Sequence, residues 1–95
     1  MSEVIDTAVA ALREKMDGSF DGTAKFVIEG EGAIMIDGDE VRAGDEEADV
    51  TLSADADTFK DILSGDLNAT SAFMTGKLTV DGDMGKAMQL GSVLA

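Results

Sequence analysis

Residues 71–90 read SAFMTGKLTVDGDMGKAMQL, and their punctuation decides how the C-terminal part of the chain folds. A short run at helical spacing, Ala69, Ala72 and Phe73, stops at Gly76, a residue able to take the left-handed conformation that ends helices. Residues 77–82, KLTVDG, then alternate, with Leu78 and Val80 on one side of a strand. Asp83 stands where a helix cap belongs, and Met84, Ala87, Met88 and Gly91 follow as a stripe that ends near Leu94. Helix, strand and helix in so few residues lay an apolar helix face on a sheet. Met74, Met84 and Met88 pose the functional question. They either fill irregular gaps in a core or line a cavity that something enters.

Upstream, Asp55 caps ADTFKDILSG, in which Phe59, Ile62 and Leu63 share a face and Gly65 is the stop; Asn68 caps the short helix that follows. Before these helices the period is two. Ala24, Phe26 and Ile28 alternate, Gly30-Glu31-Gly32 turns the chain, and Ile34 and Ile36 point inward from residues 33–37. Asp37-Gly38-Asp39 is a second hairpin turn into a short polar strand at residues 40–43. After an acidic loop at residues 44–49, Val50 and Leu52 alternate with Thr51 and Ser53. These four strands read as a meander with antiparallel neighbours. At the start, Ile5, Ala8, Val9, Leu12 and Met16 form one helical stripe, with Ser2 as its cap and Gly18 as its end. The order helix, four strands, two helices, strand, helix predicts an α+β domain with helices covering one face of the sheet.

Ninety-five residues predict one domain, over 1–95, and 44% apolar residues predict that it folds. The charge is lopsided: 20 acids, 13 of them Asp, against 7 bases give a net −13. Phosphate binding needs clustered Lys and Arg, and the scattered bases here argue against nucleic acid as a partner. The even spread of acids predicts a halophilic protein, whose hydrated carboxylates suit a high-salt cytoplasm; the plainer alternative is an ordinary acidic bacterial protein. No basic, apolar leader opens the sequence, no apolar run approaches a membrane span, and SVLA is no peroxisomal address, so the expected location is cytoplasmic.

The sequence has no cysteine and no histidine, which removes the usual nucleophiles, general bases and soft metal ligands. None of its six serines lies in a G-x-S-x-G elbow. Asp81 and Asp83 fit the first positions of a calcium loop, but Gly85 and Ser92 occupy the fifth and twelfth. GDMGKA is too short for a phosphate loop. No catalytic residue, metal or cofactor is expected.

Residues 61–90, DILSGDLNATSAFMTGKLTVDGDMGKAMQL, resemble the sterol carrier protein type-2 family at Gly65, Ala72, Phe73, Gly76, Lys77, Leu78, Gly82, Met84 and Leu90. The preceding ADVTLSADADTF and the helix-and-meander order extend the likeness over nearly the whole chain, as a short stand-alone prokaryotic member. The resemblance implies a five-stranded, mostly antiparallel sheet covered on one face by helices, with a hydrophobic tunnel between the layers. It implies non-catalytic carriage of an apolar small molecule: a lipid, a fatty acyl or isoprenoid chain, or a sterol-like compound. Longer members continue beyond the last helix with a segment that helps shut the tunnel; here the cavity is expected to be open, shallower or closed by a second copy.

The candidate ligand-binding residues are Phe26, Ile28, Ile34, Ile36, Leu52, Phe59, Ile62, Phe73, Leu78, Met84 and Met88, some of which must be plain core, since so short a chain cannot spare them all. Met35 lies near these in the reading, and Met74 can instead face solvent. The expected partner is an apolar small-molecule ligand, with room for transient membrane contact, in a monomer or homodimer. The competing reading is a protein–protein interaction or accessory domain with no obligatory ligand. The two differ in one observable, a void along Phe26, Ile36, Phe73 and Met88.

Overall fold

The computed structural model describes residues 3–15, 20 and 22–94. Helix α1 (Glu3–Lys15) is followed by β1 (Thr23–Ile28), β2 (Gly32–Asp37), β3 (Glu40–Ala43) and β4 (Val50–Ala54). Then come α2 (Ala56–Ser64), α3 (Ala69–Met74), β5 (Thr79–Gly82) and α4 (Met84–Leu94). The element order is the one the sequence predicts. Ser2, Met16 and Gly18, read as cap, stripe and stop of the first helix, lie outside the described residues. Among the described residues no helix is long and apolar enough to cross a membrane.

The strands form one sheet in the order β3-β2-β1-β4-β5. β1 with β2, β2 with β3, and β4 with β5 are antiparallel, but β4 runs parallel to β1, with Phe26 opposite Leu52. The four-strand meander is therefore corrected at its last step: the chain leaves β3 and crosses to the far edge of β1. Side-chain alternation fixes which face of a strand is buried and says nothing of its neighbour. On its outer side β3 is already engaged by α1, whose Arg13 donates from Nε and Nη2 to the Val41 carbonyl at 3.1 and 2.8 Å.

The crossing is made by residues 44–49, which bond to the sheet through both backbone and acidic side chains. Gly44 N donates to Ala33 O at 3.1 Å, Lys25 Nζ meets Asp45 at 2.8 Å, and Arg42 Nη2 meets Glu46 at 2.8 Å. At the far end Asp49 N donates to Thr23 O (3.1 Å) and Thr23 N donates back to the Asp49 carboxylate (3.2 Å). Lys25, Met35 and Arg42 are cross-strand neighbours on the sheet face away from the core, so the loop runs over that face and buries Met35.

The main core lies on the other face. Ala24, Phe26, Ile28, Ile34, Ile36, Val41, Val50, Leu52 and Ala54 meet Ile5, Ala8, Val9 and Leu12 of α1, Phe59 and Ile62 of α2, Ala72 of α3, and Ala87 and Leu90 of α4. Two aromatic rings close its centre: Phe26 and Phe59 pack edge to face with centroids 5.0 Å apart and planes at 61°.

Candidate functional site: an apolar groove beside the last helix

The C-terminal segment builds the site through a series of tight, local bonds. Asn68 Oδ1 accepts from Thr70 N at 2.7 Å and starts α3. After α3, Lys77 N and Leu78 N both donate to Ala72 O, at 2.9 and 3.0 Å, with Gly76 at φ 80°. That reversal buries Leu78 beneath α3 and aims the chain along β4. At its end Gly82, with φ 111°, lets Asp83 N reach Asp49 O at 3.0 Å, while Asp83 Oδ1 accepts from Lys86 N at 3.2 Å to cap α4.

α4 then packs across β4 and β5 and beside α3. Its inward residues are Ala87 and Leu90; Met84 and Met88 stand on its flank, 44% and 69% exposed. The expectation that positions 84 and 88 look straight at the sheet is corrected: the small Ala87 takes that place and brings the helix close. The two helices approach where a Cβ on Gly91 would be 3.8 Å from the Ala69 Cβ.

Between α3, α4 and the β4–β5 strip lies a groove of about 230 Å³, open to solvent. Leu52, Leu78 and Val80 come from the sheet side, Ala69, Thr70, Phe73 and Met74 from α3, and Met84, Ala87, Met88 and Gly91 from α4. Thr70 has the only polar side chain among these eleven. The volume exceeds the about 150 Å³ of a dry apolar cavity that admits benzene and falls below the ~300 Å³ at which drug-sized pockets begin. It suits one apolar chain or part of a larger molecule.

Of the residues singled out from sequence, Leu52, Phe73, Leu78, Met84 and Met88 line this groove. Phe26, Ile28, Ile34, Ile36, Phe59 and Ile62 are at most 2% exposed and belong to the closed core. The void thus runs along Phe73 and Met88 and stops short of Phe26 and Ile36. Met35 is on the opposite sheet face. The groove adds Ala69, Thr70, Met74, Val80, Ala87 and Gly91. Except for Val80, which lies on β5, their signal is in the sequence as two runs at three- and four-residue spacing, 69-70-73-74 and 84-87-88-91, which face each other only once β5 is placed between them.

No titratable side chain lines the groove among the described residues. Outside the groove, Asp55 is held below the ordinary carboxylate range by hydrogen bonds from Thr58, and its role is to cap α2 with an acceptor 2.7 Å from Thr58 N. No three potential metal ligands converge among the described residues.

The sequence profile of the SCP-2 sterol transfer family matches residues 5–95. Hydroxysteroid dehydrogenase-like protein 2 of Danio rerio is 36% identical over all of this chain and a quarter (25%) of its own length. Peroxisomal multifunctional enzyme A of Dictyostelium discoideum is 44% identical over 57% of this chain and 12% of its own. Among solved structures, sterol carrier protein 2 like 2 of Aedes aegypti superposes with a TM-score of 0.80 at 19% identity, covering 95% of both chains. Sterol carrier protein 2 of the same species, solved in complex with the C16 fatty acid palmitate, gives 0.78 at 23% identity over 100% of this chain and 97% of that one. With the family profile matched over residues 5–95, nearly its whole length, the chain belongs to the SCP-2 sterol transfer family.

Proposed function

We propose that the groove between α3, α4 and the β4–β5 strip holds an apolar chain non-covalently, and that residues 1–95 act as one binding and carrying unit that leaves its cargo chemically unchanged. The observation that carries this reading is the lining itself: an open groove of about 230 Å³ with a single hydroxyl among eleven residues. Two related folds solved with palmitate support the choice of a fatty acyl or similar chain. Each methylene withdrawn from water contributes about 0.8 kcal/mol, so roughly ten of them reach ~8 kcal/mol, the micromolar scale before ordering costs. With no acid, base or nucleophile among the described lining residues, the groove supports retention and release rather than catalysis. Release into water or to a membrane then needs only that α4 and α3 part at their exposed rim. The location this reading fits is the cytoplasm, in a monomer or a homodimer.

A second reading has two observations behind it. The chain spans about a quarter of the length of the dehydrogenase-like relatives, at 25% and 24%, and Met74 and Met88 are 79% and 69% exposed. An accessory domain that presents this rim to a protein partner would look the same from outside. Native mass spectrometry with organic extraction of protein purified from its own host separates the two. A one-to-one apolar adduct is the expected result, and an empty protein eluting with a protein partner would favour the alternative.

A further inference from the structure

The chain has six methionines and no cysteine, so thioethers are its only sulfur chemistry. Their placement is uneven. Met74, Met84 and Met88 gather at the mouth of one groove, 79%, 44% and 69% exposed, whereas Met35 is 2% exposed beneath the acidic crossing loop. Gly44 of that loop lies so near that an added Cβ would be 3.2 Å from Met35 Cγ. The exposed side chains are therefore within reach of an oxidant in solution, and the buried one is shielded.

We propose that Met74, Met84 and Met88 form an oxidation site that controls retention of the apolar chain in the groove. The oxidant is a hydroperoxide. A thioether sulfur attacks the distal peroxide oxygen with its lone pair, the O–O bond breaks, and a sulfur–oxygen bond forms. The departing hydroxide (or alkoxide) takes up a proton to leave as water (or alcohol). Sulfur loses two electrons and the peroxide gains them. The product is a methionine sulfoxide, polar and chiral where the side chain was apolar and flexible, and sulfoxide reductases reverse it. An empty groove hydrates the new oxygen. A bound apolar chain strips that water and offers no donor of its own, and the lining has one hydroxyl, that of Thr70, to set against three sulfoxides. Oxidation thus penalises the loaded state over the empty one and favours release. The sulfoxides need no change in fold, because the rim residues stand outside the packed core.

This inference rests on the ligand-binding reading, and its test separates the two. The whole chain is treated with a modest excess of hydrogen peroxide, and oxidation is followed methionine by methionine by peptide mass mapping. Binding of a pyrene-labelled fatty acid is titrated before and after; with no Trp or Tyr in the chain, the probe signal is clean. Met74 and Met88 should oxidise first and Met35 last. Affinity should fall about tenfold, the order expected when a polar group is desolvated without a partner. Methionine sulfoxide reductases should restore it. A triple variant, Met74→Leu, Met84→Leu and Met88→Leu, keeps the other three methionines; whatever its starting affinity, peroxide should leave that value where it was. Oxidised rim methionines with unchanged affinity would overturn the proposal. So would Met35 reacting as fast as Met88, or a variant that loses affinity as the parent does. A parent protein that takes up no probe before treatment would instead overturn the ligand-binding reading.

Discussion

Gly82 lies against the backbone of Asp49, so close that a Cβ at position 82 would stand 2.5 Å from the Asp49 carbonyl oxygen. The same oxygen accepts from Asp83 N at 3.0 Å, so one contact sets both the end of β5 and the start of α4. With φ at 111°, Gly82→Ala adds backbone strain to a backbone clash and should cost about 2–4 kcal/mol in chemical denaturation. Because α4 is one wall of the groove, probe affinity should fall with it. A loss of stability below ~0.5 kcal/mol would mean that this junction relaxes freely.

Met88 and Leu90 sit two residues apart on α4 and should answer truncation in opposite ways. Leu90 is fully buried, and Leu90→Ala should cost ~2–5 kcal/mol through the cavity it leaves. Met88→Ala, at a side chain 69% exposed, should cost less than ~1 kcal/mol while shifting affinity for a fluorescent fatty acid several-fold. Urea titrations and probe displacement on both variants check the pair. Equal stability losses would place Met88 in the core.

The Phe26–Phe59 pair is the plug that keeps the interior shut. Phe26 is the cross-strand neighbour of Leu52, and Leu52 lines the groove. Phe26→Ala should therefore cost ~3–5 kcal/mol and at the same time extend the groove inward behind Leu52. Tested with fatty acids of increasing length, the variant should gain affinity for longer chains relative to short ones. An unchanged length preference would show that the vacated space stays separate.

Net −13 predicts that folding depends on salt. Among the described residues the surface ion pairs include Lys25–Asp45 and Arg42 with Glu40 and Glu46, and exposed pairs of this kind contribute little against the mutual repulsion of twenty acids. Screening the rest should raise Tm by on the order of 10 °C between low salt and molar potassium chloride. A flat melting curve would remove the argument for a high-salt protein.

Much of this fold is written locally. Asp55, Asn68 and Asp83 cap the helices they were read as capping, and Gly65 ends α2 at φ 87°. Caps and turns are decided within a few residues, which is why they are legible. What is not local was missed. Nothing in Val50–Ala54 says that its neighbour is β1 rather than β3, because that choice depends on Arg13 from α1 and on six residues stretched across the sheet. The acids at 45, 46 and 49 read as a solvated loop, and in the structure each bonds to the sheet that the loop crosses. The groove suffered in the same way. Of the candidate groove, Phe73, Leu78 and Met84 stand at positions of family likeness and Met88 on the same helical stripe as Met84, whereas Phe26 and Phe59, read as candidate ligand contacts too, pack on each other in the core. Pattern identifies apolar side chains; only packing tells a wall from a plug.

An apolar chain held between α3 and α4, as proposed, can be located directly with a spin label. A fatty acid carrying a nitroxide on its chain should broaden the backbone amide signals of residues 69–74, 78–80 and 84–91 in a nitrogen-15-labelled sample. Amides of α1 and β3, on the far side of the core, should keep their intensity, and excess unlabelled palmitate should restore the broadened signals. Broadening centred on α1 and β3, or none at any residue at saturating fatty acid, would contradict the account.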